Sequence, residues 1–149
     1  MAVAARIAPK AYFAPQEWAP LARRSPWKGL ALLAHAWIVI GLAMAMAVVS
    51  PWWLKPLTIP LAIAVIGARQ LGLAILMHDA AHVALHPDPK VNDWVGNHLT
   101  TGGLAGYRSY HLTHHKYAQQ SEDPDLVLSA PFPITRQSLW RKIGRDLTG

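Results

Sequence analysis

Two long apolar runs dominate the first half of the chain, and each has the length of a membrane-spanning helix. The first runs from Gly29 to Val49 and the second from Leu57 to Met77, and roughly 20 apolar residues are needed to cross a bilayer core. The turn between them holds prolines and a tryptophan pair, which suits a membrane–water interface. A pair of buried helices in a soluble protein is the alternative, but the short aromatic turn favours a transmembrane hairpin over residues 29–77.

The segment before the hairpin, residues 1–28, is mixed in character and punctuated by proline. Its apolar stretches are too broken for a secretory signal peptide. Tyr12, Phe13 and Trp18 suit either a segment on the membrane surface or a partly disordered tail, and the pattern alone does not separate these two interpretations.

Beyond the hairpin the pattern predicts shorter helices separated by polar or proline-containing breaks. We expect the second apolar helix to continue to His86, because Pro87 disfavours helix at the residue before it. A polar link is predicted from Asp88 to Gly103, followed by a helix from Tyr107 to Tyr117 that ends before the acidic segment 121–125. A break at 130–133 then precedes a basic amphipathic helix from Thr135 to Leu147. The predicted fold class is therefore an all-α membrane protein with one transmembrane hairpin.

Composition and charge support this class and suggest an orientation. Hydrophobic residues make up 52% of the chain and charged residues 15%, where a soluble domain has about 25% charged residues. The net charge of +6 does not gather into a stripe of the kind that binds nucleic acid, so a membrane is the expected partner and nucleic acid is not. Lys and Arg concentrate before and after the hairpin, which predicts that residues 1–28 and 78–149 both face the cytoplasm.

The histidines form two clusters with helical spacing. Seven of the eight lie between His78 and His115, and the chain has no cysteine. His78 and His82 are four residues apart, and His111 lies three residues before His114 and four before His115, so each cluster shares one helix face. Imidazole is a good ligand for iron, zinc, copper or nickel. The clusters therefore predict a metal site built from nitrogen and oxygen ligands.

The number of histidines bears on the kind of metal site. A zinc site needs three or four protein ligands, and five clustered histidines exceed that number, which favours two metal ions. A zinc protease of the HExxH type does not fit, because Asp79 follows His78. A site where a long helix leaves the bilayer suits a reaction on a lipid chain, and oxidation of an unactivated C–H bond requires iron, O2 and a supply of electrons.

At these positions the chain resembles the membrane fatty acid desaturases, which share a superfamily with the membrane hydroxylases. The resemblance runs from about Gly67 to the end, within a partial desaturase domain over about 57–149. The motifs that carry it are HDAAH at 78–82, HLTHH at 111–115, SEDPDL from Ser121, Arg69-Gln70 and Asn92-Asp93-Trp94.

The resemblance implies a function and a ligand set. It implies an O2-dependent enzyme of fatty acid biosynthesis that introduces a double bond into an acyl chain at a cytoplasmic di-iron centre. It also implies an electron donor such as cytochrome b5 or ferredoxin. The iron ligands that it assigns are His78, His82, His111, His114 and His115, and no catalytic residue is expected beyond the metal ligands.

Four further residues are weaker candidates near the two boxes. His86 lies one more helical turn after His82 and is a possible extra ligand, although the family motif does not include it. Asp79, Asp123 and Asp125 are placed to orient imidazoles by hydrogen bonds, while solvated surface carboxylates are the alternative.

The family pattern also contains a third histidine box after a second pair of transmembrane helices, and this sequence has neither. We therefore expect an N-terminal fragment whose di-iron centre is completed by ligands missing from the chain. Two rival functions remain open: a membrane hydroxylase or ketolase of the same superfamily, and a non-catalytic membrane protein that binds metal.

Overall fold

The computed structural model describes residues 11–129 and 133–148, and all regular structure in these ranges is helical. Within these ranges the α-helices are α1 Pro15–Ala22, α2 Lys28–Val49, α3 Lys55–Ala81, α4 Pro89–His98, α5 Leu104–Tyr117, α6 Leu126–Ser129 and α7 Arg136–Thr148. A 3-10 turn, Trp52–Leu54, leads into α3. The all-α prediction is confirmed for the described ranges.

The chain divides into two compact units. One comprises residues 5–109, called here the N-terminal unit, and the other contains residues 110–149, called the C-terminal unit. The boundary falls within α5, so the chain passes from one unit to the other along a helix.

The two longest helices of the N-terminal unit, α2 and α3, have the length and apolar composition needed to cross a membrane. No other helix within the described residues has both properties. Only 22% and 17% of their most apolar stretches are buried. A core helix of a soluble protein would be mostly buried, whereas here Ile38, Leu42 and Ile63 are among the many large side chains that lie exposed. A bilayer would cover such surfaces.

The hairpin between α2 and α3 packs through small and medium side chains. Leu33, Ala36 and Ile40 of α2 join Leu73 and Leu76 of α3 in one buried cluster. Small residues at such a contact let two helix backbones approach closely. Where the helices meet the turn, the hydroxyls of Ser50 and Thr58 lie 2.8 Å apart in a hydrogen bond.

The prediction that the second apolar helix runs to His86 was wrong, because α3 ends at Ala81. Val83 has a φ of 55°, its N–H donates to the Ala80 carbonyl at 3.0 Å, and the Ala84 N–H donates to the Asp79 carbonyl at 2.7 Å. These two bonds define a Schellman motif, a common way for a helix to end. Pro87 plays no part in it.

The predicted polar link from Asp88 to Gly103 was also wrong, because most of it forms α4. The Asp88 side chain accepts a hydrogen bond from the Lys90 N–H at 2.8 Å, and Pro89 occupies the first turn. Both are strong helix-start signals. At the other end, the Trp37 indole of α2 donates to the Leu99 carbonyl at 2.8 Å, which ties the end of α4 to the hairpin.

Two glycines permit the close contacts that hold this unit together. A Cβ at Gly29 would lie 2.2 Å from the Leu85 carbonyl oxygen, so the segment after α3 packs directly on the start of α2. A Cβ at Gly96 would lie 2.7 Å from the Ala80 Cβ and 2.8 Å from Leu104 Cδ2. Helix α4 therefore lies against both α3 and the first residue of α5.

The C-terminal unit contains the second part of α5, a turn, α6 and α7. Helix α5 begins at Leu104, three residues before the predicted start, and ends at Tyr117 as predicted. Helix α7 agrees with the predicted amphipathic helix to within one residue at each end. Of the predicted break at 130–133, residues 130–132 lie outside the described ranges.

Candidate functional site

The first histidine box lies where α3 ends. His78 is in the last turn of α3 and His82 is its C-cap residue. Their ring centroids are 4.8 Å apart, with the rings edge to face. The His78 Nδ1 is 3.4 Å from an Asp79 carboxylate oxygen, and both side chains are partly exposed. His78 and His82, which the helical spacing predicted to share a face, therefore lie side by side, and the Asp79 carboxylate lies beside His78.

A polar network from α4 and α5 binds the backbone at this helix end. The Asn92 amide donates to the Ala80 carbonyl at 2.9 Å, and Asn92 is completely buried. The Arg108 guanidinium donates to the same carbonyl at 2.9 Å and to the Ala81 carbonyl at 3.1 Å. The Ala80 carbonyl also accepts from the Val83 N–H at 3.0 Å. Side chains from elsewhere in the chain therefore add hydrogen bonds to carbonyls at the end of the helix, where no following turn supplies them.

Asp93 completes the network by holding Arg108. Its two carboxylate oxygens accept from the guanidinium at 2.5 and 3.0 Å, which is a bidentate arrangement. The Asn92 amide donates to the same carboxylate at 2.9 Å. The hydrogen bond from Arg108 lowers the pKa of Asp93 below its ordinary value against a smaller opposing effect of burial, and the bond to Asp93 raises the pKa of Arg108.

The second histidine box lies on α5 within the C-terminal unit. The Nε2 atoms of His111 and His115 are 2.9 Å apart. Two ligand nitrogens of one metal ion lie about 3 Å apart when each metal–nitrogen bond is about 2.1 Å long and the bonds meet near a right angle. The His114 ring centroid lies 6.1 Å from that of His111 and 5.7 Å from that of His115. The predicted clustering of the three imidazoles on one helix is present.

A carboxylate pair orients His114. Its Nδ1 lies 2.8 Å from an oxygen of Asp123 and 3.4 Å from an oxygen of Asp125. Asp123 is buried, with 4% of its surface exposed, and it also accepts from the N–H groups of Gln119 and Asp125, each at 2.8 Å. The ring nitrogen that faces the carboxylate is therefore fixed, which leaves Nε2 as the free coordinating position of this imidazole.

The electrostatics of this turn follow from those contacts. The hydrogen bond to Asp123 raises the pKa of His114. Burial acts to raise the pKa of Asp123, but the bonds from His114 and two backbone amides outweigh it, and the net shift is downward. The Tyr110 hydroxyl donates to Asp125, and this bond raises the tyrosine pKa.

The weaker candidates fall into two groups. Asp79, Asp123 and Asp125 all lie beside a box histidine, although only Asp123 is buried. His86 lies beyond the end of α3, and its Nδ1 accepts a hydrogen bond from the Asp88 N–H at 3.0 Å. The continuous helix that suggested His86 as an extra ligand is therefore absent, and its role as a ligand stays a prediction.

Two residues of these networks did not emerge from the sequence as site residues. Arg108 and Tyr110 precede the second box on the same helix, and each has its partner in a segment distant in sequence. In the sequence, the only indication of their importance is that a charged and a phenolic side chain lie one turn or less before a histidine box. Asn92 and Asp93 were noted only as part of a motif that resembles the family, and the sequence did not predict the contacts that they make.

Comparison with known proteins identifies the family. The family model described as fatty acid desaturase matches residues 51–149, which is well over half of the chain. The chain is 35% identical over 104 residues to the dihydrorhizobitoxine desaturase of Bradyrhizobium elkanii, covering 66% of this chain and 28% of that protein. No solved structure matches the chain.

Two further desaturases are similar to this chain. The sn-2 acyl-lipid omega-3 desaturase (ferredoxin), chloroplastic, of Arabidopsis thaliana is 33% identical over 97 residues, 62% of this chain and 21% of that protein. The sn-1 oleoyl-lipid 12-desaturase of Arthrospira platensis is 28% identical over 88 residues, 57% of this chain and 24% of that protein. The matched segments span about a quarter of the length of these relatives. The resemblance first drawn from the two histidine boxes is confirmed, and this chain belongs to the fatty acid desaturase family.

Proposed function

We propose that this chain carries the histidine boxes of a membrane desaturase that introduces a double bond into the acyl chain of a lipid. The observation that carries the proposal is the second box, where two Nε2 atoms lie 2.9 Å apart and a buried carboxylate orients the third imidazole. Metal-binding histidines commonly donate their other ring nitrogen to a carboxylate in this way. Family membership adds an oxidoreductase chemistry that such a site would serve.

The donor set fits iron. The ligands proposed are His78, His82, His111, His114 and His115, with Asp79, Asp123 and Asp125 orienting the imidazoles and His86 as a possible further ligand. Imidazole nitrogen suits iron, and the sequence contains no cysteine that would add a thiolate. His78 and His114 are partly exposed, so a cation can reach both boxes from solvent. We propose that both boxes contribute to a di-iron centre.

Bound iron would supply the O2-dependent oxidation of an unactivated C–H bond. The overall balance removes two hydrogen atoms from adjacent carbons and reduces O2 to two water molecules. Two of the four electrons come from the acyl chain, and the other two come from a donor such as cytochrome b5 or ferredoxin. Two protons from solution complete the two water molecules. The residues of this chain would hold and orient the imidazoles, and the network around Ala80 and Ala81 would fix the end of α3.

The substrate proposal rests on the relatives and on the apolar helices. Two of the three relatives are described as desaturases of acyl or oleoyl lipids, and one of these names includes ferredoxin. Helices α2 and α3, together with the family, support membrane association. The first box lies where α3 ends, which suits access to a lipid chain. The excess of Lys and Arg on both flanks of the hairpin supports a cytoplasmic location for the N-terminus and both boxes.

Metal binding tests the proposal directly. The chain, purified in detergent micelles, would be loaded anaerobically with Fe(II) and its bound iron measured. His78→Ala and His115→Ala should each weaken binding by at least about tenfold. The matched control is His98→Ala, a histidine outside both boxes, whose ring lies 5.2 Å from that of Trp94. Equal binding by the wild-type chain and both box variants would overturn the proposal.

Product analysis separates desaturation from the rival chemistry. Cells that express the complete coding region containing this sequence should accumulate lipids that have lost two hydrogens, and this product should disappear in His114→Ala. A lipid that instead gains one oxygen would identify a hydroxylase. Iron binding without any oxygen-dependent product would favour a metal-binding protein that is not an enzyme.

A further inference from the structure

The end of α3 holds a residue in a conformation that its side chain disfavours. Val83 occupies the left-handed position of the Schellman motif, with φ 55°. Glycine or asparagine usually fills this position, and for a β-branched residue a positive φ is a genuine outlier. Such strain persists only where the surrounding structure enforces it, and it is often found at functional sites. Val83 directly follows His82, the second histidine of the first box.

A polar network binds the backbone at the same helix end. Arg108 makes four hydrogen bonds of 3.1 Å or less, two to the carbonyls of Ala80 and Ala81 and two to Asp93. Asn92 adds a bond to the Ala80 carbonyl and lies fully buried. The last carbonyls of a helix have no following turn to supply amide partners, so these contacts stabilise this helix end over a frayed one.

We propose that Arg108, held by Asp93 and Asn92, is a positioning residue for the first histidine box. It ends α3 at Ala81 and keeps Val83 in the left-handed conformation, and this places the His82 ring 4.8 Å from that of His78. The proposal rests on the proposed function only where it assigns metal binding to these two histidines. The effect on the helix end itself is independent of any metal.

A simple ion pair is the competing role for Arg108. If its only contribution were attraction to Asp93, the two carbonyl contacts would be incidental, and the strain at Val83 would be unrelated to it. The two roles make different predictions for a glycine at position 83. Glycine adopts a positive φ without steric cost, so Val83→Gly should make the helix end much less dependent on Arg108.

Hydrogen exchange at the Ala84 amide is the direct readout, because this amide bonds to the Asp79 carbonyl only in the observed helix end. In the chain purified in detergent micelles, Arg108→Gln should lower the protection factor of Ala84 by roughly tenfold or more, while protection within α2 changes little. The double variant Arg108→Gln/Val83→Gly should recover most of that loss. The matched control is Lys90→Gln, an exposed cation in the first turn of α4.

The single variant Val83→Gly keeps the test decisive if Arg108→Gln does not fold. In the otherwise native chain it should preserve or raise Ala84 protection, because the strain is removed while the network stays intact. A fall in protection in Val83→Gly would overturn the proposal. So would additive effects of the two substitutions in the double variant, since coupling between the two sites is what the proposal requires.

Metal affinity then tests whether the helix end affects the first histidine box. Arg108→Gln should weaken Fe(II) binding by about 10–100-fold, the usual range for residues that orient metal ligands, and Val83→Gly should restore affinity at least threefold in that background. If the wild-type chain binds no metal, the proposed function fails while the exchange experiment still tests the helix end. If metal binds but exchange shows no coupling, the positioning role alone fails.

Discussion

The two histidine boxes are held in opposite ways. The first is fixed through its backbone, because side chains from α4 and α5 bind the carbonyls of the last helical turn. The second is fixed through an imidazole, because the buried Asp123 carboxylate bonds to the His114 ring itself. The contacts of the first box connect residues 12 to 28 positions apart, and the contact of the second connects residues nine apart.

This difference shows what each box depends on. The first box depends on the packing of three helices, so a substitution far from it in sequence can disturb it. The second needs only one helix and the turn that follows, so its main support can be removed by changing a single carboxylate. Substitutions that affect one box and spare the other can therefore test the comparison.

The largest expected effect is on Fe(II) binding at the second box. Asp123→Asn removes the charge and keeps one amide oxygen. This oxygen can replace only one of the two carboxylate oxygens, because the N–H groups of Gln119 and Asp125 donate to different oxygens. The substitution should weaken Fe(II) binding by about 10–100-fold, because a carboxylate that orients a ligand histidine typically contributes that much. Anaerobic titration of the purified chain with Fe(II) measures the change.

Asp79→Asn makes the corresponding change at the first box. Asp79 is also an aspartate beside a box histidine, but it is more exposed and lies 3.4 Å from the His78 ring nitrogen. Its substitution should change affinity by less than about threefold, since exposed ion pairs contribute little. Equal losses in the two variants would contradict the distinction between the boxes.

An intermediate effect is expected where α4 packs against α3. In Gly96→Ala the new Cβ would lie 2.7 Å from the Ala80 Cβ, which has no rotamer that relieves the contact. The free energy of unfolding should fall by about 1–3 kcal/mol, since overpacking in a filled core costs that much. Thermal melting in detergent, followed by circular dichroism, measures this loss.

Gly106→Ala provides the comparison for Gly96→Ala. Gly106 also lies in a helix, but a Cβ there would meet nothing within 4 Å. Alanine should stabilise α5 by up to about 1 kcal/mol through its higher helix propensity. A melting temperature that falls in both variants would show that the close contact with Ala80 is not the cause.

The smallest expected effect is a change in thermal stability that occurs only in acidic solution. The pKa of Asp93 is lowered from its ordinary 3.8, mainly by the hydrogen bond from Arg108. A lowered pKa in the folded state means that the contribution of Asp93 to stability is complete above pH 3.8 and is lost as the pH falls through the lower folded value. Melting temperatures at a series of pH values should therefore decline in acid for the wild-type chain and decline less for Asp93→Asn. An NMR titration in which the Asp93 carboxylate keeps its ordinary pKa would contradict the bidentate pairing.

Several features of this protein follow from local sequence alone. The apolar runs predicted α2 and α3, because helix length and hydropathy are properties of contiguous residues. The spacing of His111, His114 and His115 predicted that they share a helix face, and the amphipathic pattern predicted α7. The start of α4 was also encoded locally, in Asp88 and Pro89, although the polar character of the segment suggested a link instead.

Only the tertiary structure decided where α3 ends and which side chains support the first box. Nothing in the residues around Ala81 specifies a helix end, since the position that needs a positive φ is a valine. The end is set by Arg108 and Asn92, whose hydrogen bonds reach across the fold to the carbonyls of Ala80 and Ala81. Helical periodicity is a short-range property that a sequence displays directly. A hydrogen bond between distant residues exists only after packing has brought its donor and acceptor together.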